Sequence, residues 1–477
     1  MMLWINSFTQ VLYKDAYKIY TSPKLVQNGI LGNGIVDILV KDSVVWIATG
    51  FGLNKTIDEG DSWTQFTTHN YIGKGGVTAM TYMDEQTLWI ATSFDTITGD
   101  EGSLAAGGGL SYTRDGGQTW DHVPQPIDSR DETEYKPTTT NVQNLTFDIA
   151  ALDSTIWIAS FGGGLRRSDD MGKTWQVVTT DGIPFSVLEF LNHRAFSVIS
   201  ENGNLWVGTA EGISKSMDNG ETWQRMTSKN QEFPISGNFV VALAYQEFAN
   251  TIWAATIETD TSEIRAVSKS EDGGLSWTIM LEGTFPHNFA FDNERVYVAT
   301  DEGMFISDDG GENWYILPHI RDDSNGEEIL TSIYYSAGVS YNDTESMYWA
   351  GSAGGLAMTS DNGNSWRVFR SFESTRKMNS AAAYAYPSPF SPSRNGYVRF
   401  QYDISGSGEV LVEVFDFSID KVATIQDYKY LDDPVDADRS TKWDGRGDNG
   451  NIVASGVYLF RLKLADKVVW GKVVVIN

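Results

Sequence analysis

Short apolar segments recur along the chain, and each carries an aromatic residue near its centre. They read VVWIAT, LWIAT, IWIAS, LWVGT, IWAAT, VYVAT and MYWAGS. A glycine-containing link and a second short segment follow each one, as in GGLRRS and EGISKS. Aromatic and β-branched residues in such runs favour strands, so the pattern predicts an all-β protein made of repeated units.

An eight-residue motif, [S/T]-x-D-x-G-x-[S/T/N]-W, follows each of these segments. Aspartate can accept backbone N–H bonds in a tight turn, glycine supplies the positive φ that the turn needs, and tryptophan anchors the next strand by burying its ring. The tryptophans are Trp63, Trp120, Trp175, Trp223, Trp277, Trp314 and Trp366. We expect the seven aspartates to be structural; they are Asp58, Asp115, Asp170, Asp218, Asp272, Asp309 and Asp361.

Each unit therefore contains four strands, and seven such sheets arranged radially can bury one another's faces. The motif resembles that of the Asp-box (BNR) β-propellers found in sialidases, xyloglucanases, sortilin-type receptors and photosystem II assembly factors. Residues 28–55 also resemble propeller repeats of bacterial two-component sensor ectodomains. The resemblance implies a seven-bladed propeller over residues 28–372 and leaves the activity open, because these families share architecture and not chemistry.

The N-terminal segment, residues 1–27, bears on how the ring closes. Its stretch AYKIYTSP, residues 16–23, looks like the last strand of a unit and is expected to contribute to closure. The alternative is that all seven blades are self-contained and this strand packs outside them.

Beyond a linker at residues 373–383, the repeats give way to a different module at residues 384–477. Three landmarks stand out: YPSPFSP, WDGRGDNG and ASGVYLFRL. Together they resemble the small Ig-like module of flagellar hook-assembly proteins and of the C-terminal sorting domains of type IX-secreted proteins. The resemblance implies export across an outer membrane, with contacts to the export machinery. A plain Ig-like spacer is the alternative.

Composition narrows the range of partners and compartments. The 477 residues carry a formal net charge of −28, which argues against nucleic acid and anionic membranes as partners. Cysteine is absent, and no apolar run is long enough to span a membrane. No signal peptide is visible in this chain, but the C-terminal resemblance makes us expect an extracellular or outer-surface location.

The sequence contains few of the residue patterns that mark a catalytic site. Resemblance to sialidases would imply a site with a triad of arginines, the first of which precedes the first Asp box. The first arginine of this chain is Arg114, which lies after the first Asp box. A xyloglucanase-like glycosidase needs two carboxylates about 5–9.5 Å apart, which sequence cannot test among 63 acidic residues. We expect no cofactor and no resident metal. Calcium at Asp322 and Asp323 or at Asp444 and Asp448 is a weak alternative to hydrogen-bonded turns.

A ligand is expected on the face that carries the loops between the second and third strands, here called the loop face. Three blades place phenylalanines there and three place acids: Phe51, Phe94, Phe161, Glu211, Glu258, Asp301 and Glu302. This rim could bind a partner with an apolar or sugar face, or its phenylalanines could plug the channel. Insertions at residues 94–108 and 124–144 enlarge the same face, as functional loops or as disorder.

The leading hypothesis is a secreted or surface-displayed, non-catalytic binding or scaffold protein that engages a protein or glycan through the loop face. The alternatives are a glycoside hydrolase of sialidase or xyloglucanase type and a structural subunit of an extracellular assembly.

Overall fold

The computed structural model describes residues 29–97, 102–324, 327–342, 345–371, 383–402, 408–429, 439–464 and 467–477. The chain divides into two compact units at residues 371 and 372. The described elements are strands, apart from two 3₁₀ turns (Thr68–Asn70 and Leu191–His193) and one short helix, α1 (Pro392–Asn395). Residues 1–28 and most of the linker at residues 373–383 fall outside the described residues.

The predicted N-terminal strand at residues 16–23 is among those undescribed residues, as is the linker apart from residue 383.

The first unit contains seven antiparallel sheets of four strands, each taken from one continuous stretch of chain. Blade one comprises β1 (Ile35–Lys41), β2 (Val44–Thr49), β3 (Gly52–Thr56) and β4 (Thr64–Phe66). Blade two comprises β5 (Gly76–Tyr82), β6 (Leu88–Ile97), β7 (Ser103–Thr113) and β8 (Asp121–Val123). Blade three comprises β9 (Thr146–Leu152), β10 (Thr155–Ser160), β11 (Gly164–Ser168) and β12 (Gln176–Val178). Blade four comprises β13 (Ala195–Glu201), β14 (Asn204–Thr209), β15 (Gly212–Ser216) and β16 (Gln224–Met226).

The remaining blades follow the same order. Blade five comprises β17 (Phe239–Gln246), β18 (Thr251–Ile257), β19 (Ala266–Ser270) and β20 (Thr278–Met280). Blade six comprises β21 (Pro286–Asp292), β22 (Arg295–Thr300), β23 (Gly303–Ser307) and β24 (Tyr315–Ile316). A separate hairpin, β25 (Ile320–Asp322) and β26 (Glu327–Ile329), precedes blade seven. Blade seven comprises β27 (Tyr334–Tyr341), β28 (Ser346–Ser352), β29 (Gly355–Thr359) and β30 (Arg367–Phe369).

The hydrophobic core of this unit is divided among the interfaces between blades. Six buried clusters join consecutive blades, and a seventh joins Ile35 and Ile47 of blade one to Trp349 and Leu356 of blade seven. The sheets therefore close into a ring, because every blade buries both of its faces against neighbours. The predicted all-β, seven-bladed propeller is confirmed.

The seven Asp-containing turns share one hydrogen-bond pattern. In blade three, Ser168 Oγ donates to Asp170 Oδ1 at 2.9 Å, and Asp170 accepts from the backbone N–H and the hydroxyl of Thr174 at 2.9 and 2.7 Å. The other six turns repeat these bonds, with Asn313 replacing the final hydroxyl in blade six. These bonds satisfy the polar groups of a tight turn locally.

The turns also connect neighbouring blades. Trp157, fully buried in β10, meets Trp223 of blade four edge to face, with ring centroids 6.4 Å apart. The turn glycine Gly220 has φ +85°, and a Cβ there would lie 2.4 Å from the Trp157 ring. The same edge-to-face contact joins blade seven to blade one, where Trp349 and Trp63 are 6.3 Å apart. Each turn thus supplies a close-packed surface to the blade before it.

The second unit is a β-sandwich. One sheet has the order β31 (Ala383–Tyr386), β32 (Val398–Tyr402) and β35 (Arg439–Trp443). The other has the order β34 (Lys421–Lys429), β33 (Gly408–Phe415), β36 (Gly456–Lys463) and β37 (Val468–Val475). Phe400, Phe460 and Trp443 lie in the buried core between them.

Within the described part of the chain, no helix has the length and apolar character that crossing a membrane requires.

Candidate functional site

The first strand of every blade, which lies innermost in the ring, contains a β-bulge near its start. The register of each first strand shifts by one residue where it pairs with the end of the second strand. The extra residues are Val36, Thr78, Phe147, Phe196, Val241, His287 and Tyr335, here called the collar. A bulge re-aims a side chain, and here it does so at the loop face in all seven blades.

Most of the collar is apolar or aromatic. Phe147 and Phe196 have ring centroids 5.3 Å apart, and His287 meets Tyr335 edge to face at 5.4 Å. Val36 and Phe147, from blades one and three, pack on the same buried residue, Leu145. The collar residues therefore gather around the axis of the ring rather than staying within their own blades.

The residue after the bulge is polar in five blades: Asp37, Asp148, Ser197, Asn288 and Ser336. Asp148 Oδ2 accepts from Ser197 Oγ at 2.8 Å and from the Val198 backbone N–H at 2.9 Å, which joins blades three and four. Asp37 Oδ1 accepts from its neighbour Ile38 N–H at 2.9 Å and from Asn288 Nδ2, two blades away, at 3.4 Å.

These two carboxyl groups are electrostatically unusual. Desolvation raises the pKa of Asp37 to about 6, although hydrogen bonds from Ile38 and Asn288 oppose the shift. Desolvation raises the pKa of Asp148 to about 7, and the negative charge of Asp37 adds to it. As whole residues, Asp37 and Asp148 are half-buried. Two carboxylates with little solvation thus lie near each other beneath the collar.

The structure gives each predicted rim phenylalanine a different setting. Phe161 packs on Phe196 with centroids 6.1 Å apart and lies beneath the Arg194 guanidinium at 5.6 Å. Phe94 has the Lys74 ammonium 3.7 Å from its ring centre. Phe161 belongs to the apolar cluster that contains Phe196.

Phe51 lies close to Gly32, where a Cβ would come within 2.5 Å of its ring. All three rim phenylalanines are half-buried. Their part in ligand binding stays a prediction.

The predicted rim acids have local partners of different kinds. Glu211 forms an ion pair with Arg225 at 2.9 Å, and Asp301 lies 2.8 Å from His287 Nε2. Glu302 accepts from the Phe285 backbone N–H at 2.9 Å. Glu258 Oε2 is buried and has no hydrogen-bond partner within the described residues. Of these acids, Asp301 is brought to the collar through its contact with His287.

The two insertions lie side by side on the loop face. The first lengthens β6 and β7 into a hairpin that pairs as far as Ile97 and Ser103. The second lies along this hairpin, where Gln143 N–H donates to the Ala105 carbonyl and Gly107 N–H to the Asn141 carbonyl, both at 2.8 Å. Together they form one structure, here called the wall, next to the collar.

A buried ion pair fixes the second insertion. Arg166 of β11 donates to both oxygens of Asp128, at 2.7 and 2.8 Å, and Thr138 N–H donates to Asp128 at 2.7 Å. Burial alone would raise the pKa of Asp128, but the Arg166 guanidinium and these hydrogen bonds lower it. The described residues of the insertion are ordered by these contacts.

The aspartates that suggested calcium are engaged within the protein. Asp322 accepts from Ser324 N–H at 3.0 Å and from the Val368 N–H at 3.1 Å, and Asp448 accepts from Thr424 N–H at 2.8 Å. In the parts of the chain that the structure describes, no three histidine or acidic side chains converge in a metal-binding group.

Sequence reasoning did not single out Phe147, Phe196, Asp37 or Asp148. The available signal was a polar residue inside an otherwise apolar first strand, as in IVDILV and TFDIAAL. Without knowledge of the bulge, such a residue is read as one outward-facing position of an ordinary strand.

No family model matches the chain. A xyloglucanase from Paenibacillus sp is 28% identical over 170 residues, which cover 30% of this chain and 16% of that enzyme. A xyloglucanase from Acetivibrio thermocellus is 26% identical over 183 residues, covering 37% of this chain and 19% of that enzyme. The matched region therefore spans less than a fifth of these relatives.

Two solved structures share the fold. An ancestral GH74 enzyme aligns with a TM-score of 0.55 at 14% identity, covering 95% of this chain and 64% of that one. The GH74 enzyme of Niastella koreensis aligns with a TM-score of 0.50 at 12% identity, covering 95% and 74%. At these identities the likeness concerns the β-propeller fold alone.

Proposed function

We propose that the protein is a non-catalytic binding or scaffold protein whose loop face engages a protein or glycan. The observation that carries this proposal is the wall beside the collar. Two insertions that are separate in sequence pair with each other there, and they extend the loop face with a surface that the ring itself does not need. Long ordered loops on a rigid scaffold are often functional.

The wall offers chemistry for such contacts. Phe94 and Lys74 form a cation–π pair at the base of the hairpin, and Ile97 near its end is exposed over 85% of its surface. Exposed apolar groups next to polar ones are typical of binding surfaces.

The test is binding of the full chain to arrays of glycans and of peptides. We expect a specific class of ligand to be retained, and Phe94→Ala with Ile97→Ser to weaken it at least tenfold. Glu312→Gln, on the opposite face, is the control that should change nothing. Equal binding by all three proteins would contradict the proposal.

A glycoside hydrolase is the second candidate. It is favoured by the distant similarity to xyloglucanases and by Asp37 and Asp148, since paired carboxyl groups with raised pKa values suit acid–base catalysis. Release of reducing ends from xyloglucan, abolished by Asp148→Asn, would establish this function in place of the first.

We further propose that the C-terminal module directs export to the extracellular space or outer surface. Its three landmark motifs converge in one core. The ring centroid of Trp443 lies 6.2 Å from that of Phe390 and 6.1 Å from that of Tyr458. Phe390 also forms a β-bridge with Val475 of the last strand. Removal of residues 384–477 should retain the protein inside a bacterium with type IX-like export. Unchanged secretion would favour a spacer or a subunit of a surface assembly.

A further inference from the structure

The collar and the two carboxylates beneath it form a surface with its own chemistry. Val36, Phe147 and Val241 are half-buried, so the collar is open enough to be contacted. Phe239 packs against the collar residue Phe196 in a tilted arrangement, with ring centroids 4.5 Å apart. At the mouth of the propeller, the apolar and aromatic collar therefore lies next to Asp37 and Asp148, which directly follow the collar residues Val36 and Phe147.

No cationic side chain in the described part of the chain balances the charges of these two aspartates. Neither forms an ion pair with any described residue, and Asp37 Oδ2 accepts no hydrogen bond from the described residues. Two other shielded acids, in contrast, are paired with a cation: Asp128 with Arg166, and Glu413 with Arg461. The titratable collar residue His287 pairs with Asp301 at 2.8 Å.

The surroundings distinguish between kinds of cation. Calcium and magnesium ions require six or more oxygen ligands, and the collar provides aromatic rings and aliphatic groups instead. An ammonium or guanidinium group on an aliphatic stem matches both parts, because its charge is attracted to carboxylates and to ring faces while its stem contacts apolar walls.

We propose that the mouth of the propeller binds a lysine or arginine side chain presented by a peptide segment of a partner protein. Asp37 and Asp148 act as its counter-ions, and the half-buried collar residues Phe147 and Tyr335 contact its stem. The proposal rests on the proposed binding function of the loop face. The net charge of −28 would help to draw a cationic segment toward the protein.

The experiment uses the full chain and four capped five-residue peptides that differ only in a central lysine, arginine, glutamine or glutamate. Calorimetry or NMR titration should detect one site for the lysine and arginine peptides only. Asp37→Asn with Asp148→Asn should weaken binding at least tenfold. Glu312→Gln with Glu345→Gln removes two charges from the opposite face and is the matched control.

The dependence on pH provides a second readout. Since the pKa values of Asp37 and Asp148 are raised to about 6 and 7, affinity for the lysine peptide should fall as the pH is lowered from 8 to 5. Ordinary surface carboxylates keep their charge over this range, so binding to the general acidic surface would not change in this way.

Three results would overturn the proposal. The glutamine peptide could bind as well as the lysine peptide, or the variant with Asp37→Asn and Asp148→Asn could bind the lysine peptide unchanged. The third is binding of calcium at one site that these two substitutions abolish. If the peptides fail while the wall substitutions still weaken an array ligand, this proposal falls and the proposed function stands. If both fail, the proposed function falls as well.

Discussion

The two faces of the propeller differ in how much they repeat. On the turn face, seven aspartates accept the same set of hydrogen bonds, and glycines such as Gly220 pack on the tryptophan of the blade before. On the loop face, the collar position holds valine, threonine, phenylalanine, histidine or tyrosine, and one pair of blades carries the wall. Repetition is what assembly requires of every blade, whereas recognition of an asymmetric partner requires blades to differ.

The largest expected effect comes from the packing between blades. Trp157→Ala should lower the free energy of unfolding by about 3–5 kcal/mol, since it removes a fully buried indole between blades three and four. Chemical denaturation of the full chain, followed through the propeller transition, measures this. Phe161→Ala on the loop face is the comparison, and an equal loss there would show that the two faces do not differ in this respect.

Substitution of glycines in the turns also tests the packing between blades on the turn face. Gly220→Ala would place a Cβ 2.4 Å from the Trp157 ring at φ +85°, whereas Gly203→Ala at φ +80° meets no atom within 4 Å. Both substitutions carry backbone strain of about 1–2 kcal/mol, and overpacking should add about 1–3 kcal/mol to Gly220→Ala alone. Equal destabilisation in thermal melts would contradict the packing role.

The loop face should show its own dependence on pH. Because the pKa of Asp148 is raised to about 7 by folding, the folded state binds more protons than the unfolded state between about pH 4 and 7, and this group lowers stability as the pH rises through that window. Asp148→Asn should reduce the loss of stability between pH 5 and 8 by about 1–2 kcal/mol, less than full desolvation implies. Parallel curves for the two proteins would be the contrary result.

The smallest effect is expected at a single turn. Hydrogen bonds from Thr174 and Ser168 lower the pKa of Asp170 to about 2, so its stabilising contribution is present above about pH 4 and is lost as the pH falls through 2. Asp170→Ala should slightly lower the melting temperature at pH 7 and lower it by less near pH 2. A large effect at both values would mean that the turn acts through packing instead.

The propeller itself was predictable because its signal is repeated. Trp157 and its counterparts mark the second strands, and Asp170 and its counterparts mark the turns, so seven local patterns agree on one architecture. The bulges were not predictable, since the polar residue that follows the extra one looks the same as an outward-facing position of an ordinary strand. Asp37 and Asp148 come together only because the ring brings blades one and three to a common axis.

The two insertions were predictable in part, unlike the repeats, which were fully predictable, and the bulges, which were not. Their positions at residues 94–108 and 124–144 follow directly from the interrupted repeat. Their pairing through Ala105 and Gln143, and the buried contact between Asp128 and Arg166, depend on residues far apart in sequence. Sequence could therefore locate the wall but could not show that it is one structure.

Asn33 and Ser371 hold the start and the end of the described ring together through two hydrogen bonds between the Asn33 carboxamide and the Ser371 backbone. Within the described residues, every blade draws its four strands from its own stretch of chain, so the join between blades seven and one depends on side-chain and backbone contacts like those elsewhere. The stability of the ring should therefore not depend on which blade comes first in the chain. We therefore expect a circularly permuted propeller, with blade seven linked to blade one and the chain opened between blades three and four, to form the same ring.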